Sequence, residues 1–211
     1  MFKTVYIHQT NCISPLGSAL LENWASIVAG KSGISKQDVG HFKDIYVGKI
    51  GFPLQQDENY SYLENLVMQV AEPLLKDRVL NGRQGFILST TKGNIDRLAS
   101  STHIEDAELS KMADKVAKGL GFSSKPIVVS HACVSGLLAV ILAKRLIQMG
   151  QYDEVFVVAA DQVSEFVLSG FSSFQAMSDK PCKPFDKNRN GVTLGEAVAA
   201  AWVSKEAEGA Q

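Results

Sequence analysis

The chain has 211 residues, 45% of them hydrophobic, and its 21 basic and 22 acidic side chains leave a formal net charge of −1. This length suits one large domain or two small ones, and it suffices to bury a core without disulfides or structural metals. The even charge balance excludes a protein that binds nucleic acid mainly by electrostatic attraction, since phosphate neutralisation needs concentrated Lys and Arg. The ample apolar content excludes an intrinsically disordered chain.

In chain order, helical and β-type patterns alternate. The predicted elements are a strand from Thr4, a helix at Leu20–Val28, a strand or hairpin arm at Ile45–Phe52, a helix at Tyr62–Leu75, a strand at Phe86–Ser89, a helix at Glu105–Leu120, a strand at Ile127–Ser130, a helix at Ser135–Met149, and strands at Val155–Ala160 and Ala197–Val203. Pro73 is expected to kink or end the second helix. Buried strands alternating with helices predict an α/β fold, with a mostly parallel sheet and helices on both faces. The irregular segment 163–195 is large for a compact domain, which predicts a functional role.

The cysteines Cys12, Cys133 and Cys182 are widely spaced. They form no Cys-x-x-Cys pair and no zinc-type spacing with histidine, so we expect free thiols, no metal site and a reducing compartment. The N-terminal residues lack the apolar core of a signal peptide, and the longest apolar run, Leu137–Ala143, is far shorter than a membrane span requires. We therefore expect a cytoplasmic protein without a membrane span.

The segment Ile127–Gly136, IVVSHACVSG, joins a predicted strand to a predicted helix through a cysteine and small residues. Such an elbow lifts a nucleophile above the carboxyl ends of the strands, where α/β folds place their ligands. The positive end of the helix favours a thiolate, and the backbone N–H of Cys133 can face an oxyanion forming on an attacked carbonyl. Ser135 and Gly136 are small enough for an acyl group to approach. The alternative is an inert buried thiol, the common state of a free cysteine.

A second motif, KPFDKNRNGVTLGEA, runs from Lys183 to Ala197. Its two glycines and its proline indicate a tight path with left-handed backbone positions. Asp186, Arg189 and Glu196 can form buried ion pairs that hold this path. By itself the motif predicts a structured loop and no chemistry.

Together, ACVSG around Cys133, GFSSFQAMS at Gly170–Ser178 and PFD…R.G…GEA at Pro184–Ala197 resemble the β-ketoacyl-acyl-carrier-protein synthases of the thiolase superfamily. NCISPLG at Asn11–Gly17 and STTKGNI at Ser89–Ile95 fall where the family has an early loop and a glycine-rich turn. Within the family the chain looks more like the ketosynthases of aryl-polyene or flexirubin-type pigment pathways. The resemblance covers the whole chain but one half of the family's length. It implies a single thiolase-like domain over residues 1–211, with a mixed, mostly parallel five-stranded sheet.

The resemblance implies an acyltransferase of fatty-acid or polyketide biosynthesis that works in two stages and holds no bound cofactor. Cys133 attacks the thioester of an acyl chain on the phosphopantetheine arm of an acyl carrier protein. A malonyl-carrier unit then loses CO₂, and its carbanion displaces the acyl group to give a β-ketoacyl product. In the family, two histidines in the second half support that stage, whereas all four histidines of this chain precede Cys133. We therefore expect the chain alone to be acylated slowly at most, without condensation.

Three explanations stay open for a chain that has the nucleophile but no histidine after it. The chain is an excised N-terminal portion of a synthase, a natural half that pairs with a complementary chain, or a non-catalytic subunit of the chain-length-factor or carrier-binding type. The family's dimers pair through the strand that leads into the nucleophile, here Lys125–Ser130. This strand is apolar, and an uncovered apolar edge favours pairing. We expect a homodimer or a ketosynthase-type heterodimer.

Other residues near the motifs are weaker candidates. The resemblance places three residues in the loop beside the acyl pocket, with core packing as the alternative: Phe171, Phe174 and Met177. Three residues are expected to support the site through structural contacts: Asp161, Gly195 and Glu196. For five others we favour an ordinary structural or surface role over a functional one. The functional alternatives are a local base for His131, a reactive thiol for Cys12 and Cys182, and a carrier-protein contact for Lys144 and Arg145.

Overall fold

A computed structural model describes residues 4–100 and 104–207. The strands are β1 (Tyr6–Ile13), β2 (Ser35–Val39), β3 (Phe42–Val47), β4 (Gln84–Ser89), β5 (Ile127–Val129), β6 (Glu154–Asp161) and β7 (Ala197–Ser204). The helices are α1 (Leu20–Val28), α2 (Tyr62–Leu75), α3 (Arg97–Ser100), α4 (Leu109–Gly119), α5 (Ser135–Gln148) and α6 (Glu165–Ser173), with a 3-10 turn at Ile104–Ala107. In the described ranges, no helix is long and apolar enough to cross a membrane.

Five strands form one sheet in the order β1-β7-β6-β4-β5, and β2 and β3 form a separate hairpin. Strand β4 runs parallel to β5 and β6, while β7 runs antiparallel to both β6 and β1. Every strand of the sheet except β7 therefore points in the same direction. The predicted mixed, mostly parallel five-stranded sheet is confirmed.

Helices cover both faces of this sheet, as predicted. On one face, α2 and α4 enclose a core in which the rings of Phe86, Phe156 and Trp202 meet. On the other face, α5 packs Ala139 and Ala143 against β4, β6 and β7. Because α5 presents small residues, it lies close to the strands, and its first residues stand beside their carboxyl ends.

Helix α2 has the predicted bounds because its signals are local. Ser61 and Glu64 form a reciprocal capping box at its start, which satisfies two backbone N–H groups. The helix continues through Pro73 to Leu75, so Pro73 does not end it. The Trp202 indole donates to the Leu74 carbonyl at 3.0 Å, which ties the last turn of α2 to β7.

Three predicted regions differ from the structure. The strand or hairpin arm expected at Ile45–Phe52 is the second strand of a hairpin, β3, which ends at Val47, and its partner β2 was not predicted. The helix expected from Glu105 begins at Leu109, because the preceding residues form the separate 3-10 turn. The segment 163–195, predicted as irregular, contains α6, which is capped by the Ser164 hydroxyl and buries Leu168 fully. A short helix with few buried side chains gives a weak periodic pattern, which explains why the sequence missed it.

Candidate active site

A sharp elbow joins β5 to α5 and carries Cys133 at its tip. Ala132 lies in the left-handed region, with φ of 46°, a conformation that residues other than glycine rarely adopt. Helix α5 starts two residues after Cys133, and the Leu138 N–H donates to the Val134 carbonyl at 3.0 Å. Cys133 is exposed and forms no disulfide. The thiol therefore stands beside a helix N-terminus, where solvent can reach it.

A buried serine braces this elbow. The Ser135 hydroxyl accepts a hydrogen bond from the His131 backbone N–H and donates one to the Ala132 carbonyl, both at 2.7 Å. Ser135 is 4% exposed, so these bonds are shielded from water. From the sequence we inferred only that Ser135 is small. A serine at the first position of a helix after a turn was the available signal for a bracing hydrogen bond.

Cys133 lines a cavity of about 620 Å³ at the carboxyl ends of β4 and β6. Its lining includes small residues of the sheet, Ala159 and Ala199, and two larger apolar residues of α6, Val167 and Phe171. A mostly apolar cavity beside an exposed thiol has the form of a small-molecule site. The arrangement has room for an apolar group attached to the sulfur. A separate cavity of about 450 Å³ lies against α2 and the end of α4, and Cys133 does not line it.

Asp161 orders the loop at the cavity rim. One of its oxygens accepts hydrogen bonds from the Thr90 hydroxyl at 3.1 Å, the Thr91 hydroxyl at 2.8 Å and the Thr91 N–H at 2.9 Å. Asp161 and Thr91 both line the Cys133 cavity. The carboxylate thus holds the chain after β4 against the end of β6.

Glu196 is 2% exposed, and its buried carboxylate connects three segments of the chain. It accepts hydrogen bonds from the Ile50 N–H at 2.9 Å and the Tyr62 hydroxyl at 2.7 Å through one oxygen, and from the Val163 N–H at 3.2 Å through the other. Burial, and then the hydrogen bond to this carboxylate, raise the pKa of Tyr62 well above its ordinary value. Gly195, which precedes Glu196, lines the cavity and forms a bridge to Gly48.

The ion-pair lattice expected of Asp186, Arg189 and Glu196 is wrong. Asp186 and Arg189 are both exposed, and Arg189 donates to the Asp186 backbone carbonyl rather than to a carboxylate. Backbone amides and a tyrosine hydroxyl surround Glu196 instead, because the chain brings distant segments to it.

The structure separates the three residues considered for substrate binding. Phe171 lines the cavity. Phe174 is 81% exposed at the end of α6, and Met177 packs against a small core that includes Val39 and Leu168. Neither Phe174 nor Met177 reaches the cavity wall. For Met177, core packing, the alternative weighed from the sequence, describes its surroundings.

The remaining sequence candidates do not line the cavity. His131, Lys144 and Arg145 are exposed, and none of them lines it. Cys12 was placed in a loop but belongs to β1, where burial raises the pKa of its thiol; Cys182 lies in a loop, as expected. In the part of the chain that the structure describes, no group of three or more His, Cys, Asp or Glu side chains is arranged to hold a metal ion.

Comparison with known proteins identifies the family and the fold. The family model for the beta-ketoacyl synthase N-terminal domain matches residues 81–209, which include the elbow, the cavity wall and Glu196. The chain belongs to the beta-ketoacyl synthase family. The predicted resemblance to an N-terminal, thiolase-like half is therefore confirmed.

Relatives of this domain include an acyl-carrier-protein synthase and a polyketide synthase subunit. The chain is 24% identical to 3-oxoacyl-[acyl-carrier-protein] synthase 2 of Vibrio cholerae and 28% identical to the tetracenomycin polyketide synthase ketoacyl synthase alpha subunit of Streptomyces glaucescens. Both comparisons cover 99% of this chain and 59% of the relative. The chain thus spans well under two thirds of the length of these relatives.

Solved structures share the fold. The ketosynthase ApeO in complex with its chain length factor ApeC, from Xenorhabdus doucetiae, matches with a TM-score of 0.85 and 22% identity, over 98% of this chain and 59% of that one. The ishigamide ketosynthase/chain length factor matches with a TM-score of 0.77 and 21% identity, over 99% of this chain and 63% of that one. At these identities the comparison establishes the fold alone.

Proposed function

We propose that this domain is the nucleophile-bearing part of a cytoplasmic β-ketoacyl-acyl-carrier-protein synthase, and that Cys133 accepts an acyl chain from the phosphopantetheine arm of a carrier protein. The observation that carries the proposal is the position of Cys133. It is exposed at a strand-to-helix elbow and lines a mostly apolar cavity in the matched domain. An apolar acyl chain suits that lining.

The proposed first stage is a thioester exchange. The Cys133 sulfur attacks the thioester carbon, a new carbon–sulfur bond forms, and the bond to the carrier's sulfur breaks; the carrier thiol then takes up the proton. The start of α5 favours the negative charge on sulfur and on the oxyanion, because unpaired N–H groups of a helix begin there. Ser135 holds the elbow in place for this step through its two hydrogen bonds.

The proposed second stage is decarboxylative condensation with a malonyl-carrier unit. Loss of CO₂ leaves a carbanion that needs hydrogen-bond donors or positive charge nearby. No histidine lines the Cys133 cavity in the described residues. We propose that groups beyond these 211 residues supply those donors, in the same polypeptide or in a partner.

Incubation of the purified chain with acyl-carrier and malonyl-carrier protein tests both stages. We expect intact-mass analysis to show one acyl group on the wild type and none on Cys133→Ala, while Cys182→Ala, the matched control, is acylated like the wild type. We expect no β-ketoacyl product. Rapid formation of a β-ketoacyl product by the isolated chain would contradict the proposal that the donors for condensation lie elsewhere. A wild type that stays unmodified would contradict the proposed acylation of Cys133.

A second candidate is a non-catalytic subunit of the chain-length-factor or carrier-binding type. Two of the similar solved structures contain a ketosynthase together with a chain length factor, which favours considering it. Carrier-protein binding that survives Cys133→Ala, combined with an unacylated wild type, would select this candidate. An exposed cavity thiol supports the catalytic one, since a scaffold has no chemical need for it.

The proposed partner surface is the outer edge of β5. This strand is at the end of the sheet and pairs with β4 on one side only, and its three residues are half-buried. An unpaired apolar edge strand favours pairing with a second chain. We expect a homodimer or a ketosynthase-type heterodimer. Sedimentation velocity at micromolar concentration checks this for the chain alone, and a stable monomer would contradict the homodimer.

A further inference from the structure

The wall of the Cys133 cavity contains two charged side chains, Asp161 and Lys92. Asp161 already accepts three hydrogen bonds from Thr90 and Thr91. The Lys92 ammonium, by contrast, has no hydrogen bond or ion pair to any residue that the structure describes. The Lys92 side chain is exposed and without a partner among the described residues, so its ammonium is available to an anionic ligand that enters the cavity.

A second unpaired donor belongs to another residue that lines this cavity. Ser89, at the end of β4, lines the cavity and is 2% exposed. Within the described residues, its hydroxyl oxygen is the only buried side-chain nitrogen or oxygen without a hydrogen-bond partner. Buried hydroxyls are normally paired, because an unpaired one loses its hydration without compensation. An unsatisfied hydroxyl and an unpaired ammonium on residues that line the same cavity indicate a ligand that accepts hydrogen bonds.

The loop that carries Lys92 is held firmly on both sides. Thr90 is fully buried, and its hydroxyl accepts the Gly93 N–H at 3.0 Å. Gly93 has φ of 53°, and a Cβ there would lie 2.6 Å from the Leu109 side chain. Asn94 bonds to Ser61 and Glu64. The backbone at Lys92 is thus fixed, and its flexible side chain reaches from a defined point on the cavity rim.

We propose that Lys92, together with the Ser89 hydroxyl, binds an anionic oxygen group of the molecule that reacts at Cys133. The identity of that molecule as a thioester rests on the proposed function. The anionic group is then either a carboxylate on the acyl chain or the phosphate of the pantetheine arm. Both present negatively charged oxygens to the same two donors.

Alkylation of Cys133 tests the anion site without any assumption about the enzyme's substrate. Iodoacetate and iodoacetamide have similar size and react with the same thiolate, but only iodoacetate is negatively charged. We expect Lys92→Met to lower the ratio of the iodoacetate rate to the iodoacetamide rate about threefold, the effect of a partly exposed ion pair, and high salt to lower it in the wild type. Lys92→Arg should keep the ratio. Lys144→Met and His131→Gln, which alter groups outside the cavity, should leave it unchanged.

Ser89→Ala adds an independent test. Since the hydroxyl has no partner among the described residues, its removal should leave Tm unchanged or raise it, while lowering the iodoacetate preference further in combination with Lys92→Met. A lower Tm for Ser89→Ala would assign the hydroxyl a structural role. An unchanged rate ratio in Lys92→Met, with iodoacetamide still reacting at the wild-type rate, would overturn the proposal.

Three pantetheine thioesters identify the source of the anion: a neutral acyl-pantetheine, the same acyl group on phosphopantetheine, and a carboxyacyl-pantetheine of equal length. Loss of acylation in Lys92→Met with the carboxyacyl donor alone assigns the acyl carboxylate, and loss with the phosphorylated donor alone assigns the arm. If Lys92→Met slows neither although Cys133 is acylated, the anion proposal fails. If no thioester acylates the wild type, the proposed function fails, and the alkylation ratio still decides the anion site.

Discussion

The Ser135 hydroxyl accepts the His131 backbone N–H at 2.7 Å, across the elbow that holds Cys133 between them. The same hydroxyl donates to the Ala132 carbonyl, so one side chain ties both ends of a left-handed turn. The position of the Cys133 thiol therefore depends on Ser135, a residue to which we assign no chemical role in the reaction.

Removing that hydroxyl should affect both stability and reactivity. Ser135→Ala leaves the His131 N–H and the Ala132 carbonyl without their partner, and we expect the free energy of unfolding to fall by about 1–2 kcal/mol. The iodoacetamide rate at Cys133 should change as the elbow loosens. Ser130→Ala is the control, because the Ser130 hydroxyl makes one long bond of 3.4 Å on the surface. Denaturant melts and thiol-labelling rates measure the two effects, and equal results for both variants would contradict the bracing role.

Loss of the Glu196 carboxylate should destabilise the domain strongly. Glu196→Ala leaves the Ile50 N–H, the Tyr62 hydroxyl and the Val163 N–H unpaired in the interior. We expect a loss of about 3 kcal/mol or more in the free energy of unfolding. Glu72→Ala, at an exposed position of α2, should cost less than about 0.5 kcal/mol. Chemical denaturation compares them, and a small effect of Glu196→Ala would show that water replaces the carboxylate.

Cys133 should react with iodoacetamide before Cys12. Cys133 is exposed, whereas Cys12 is half-buried and burial raises the pKa of its thiol. Because only the thiolate reacts, Cys12 should label slowly at neutral pH and should gain rate as the pH rises into the alkaline range. Peptide mass spectrometry of the folded chain follows each site, with the denatured chain as the reference in which all three thiols label alike. Labelling of Cys12 ahead of Cys133 at neutral pH would contradict this prediction.

Asp153 should contribute stability that disappears in acid. Its ion pairs with Arg83, at 3.1 Å, and Lys205, at 2.8 Å, lower the pKa of this carboxyl to about 2. Since the folded value lies below the ordinary value of about 3.9, the contribution is fully present above that pH and is lost as the pH falls toward 2. The pair is exposed, so Asp153→Asn should cost less than about 1 kcal/mol at neutral pH.

Thermal melts from neutral pH to strong acid measure this difference. The gap between wild type and Asp153→Asn should narrow as the pH falls. Asp77→Asn is the control, because Asp77 is exposed and forms no ion pair with the described residues. A gap that stays constant with pH would mean that Asp153 acts through packing rather than charge.

Helix α1 shows that a local apolar pattern can predict the bounds of a helix without predicting which side of it is buried. Its predicted bounds, Leu20–Val28, are those of α1, but its apolar side chains Leu21 and Trp24 are 79% and 63% exposed. The buried positions are the polar residues Asn23 and Ser26. The Asn23 amide donates to the carbonyls of Cys12, Gly17 and Ala19. The spacing of apolar residues predicts that a helix forms. Which side of α1 packs against the protein depends instead on the backbone carbonyls that bind the Asn23 amide.

The amino-acid sequence alone determined the elements with strong local signals and the family. The apolar stripe predicted α2, and the run from Ile127 to Gly136 predicted a strand, a turn at Cys133 and a helix, because propensity and periodicity act within a few residues. Only the tertiary structure decided what surrounds the thiol. Lys92 and Phe171 reach one cavity from distant parts of the chain, and Glu196 meets Ile50 and Tyr62 across more than 100 residues. Such contacts arise when strands pair and helices pack, and no local spacing encodes them.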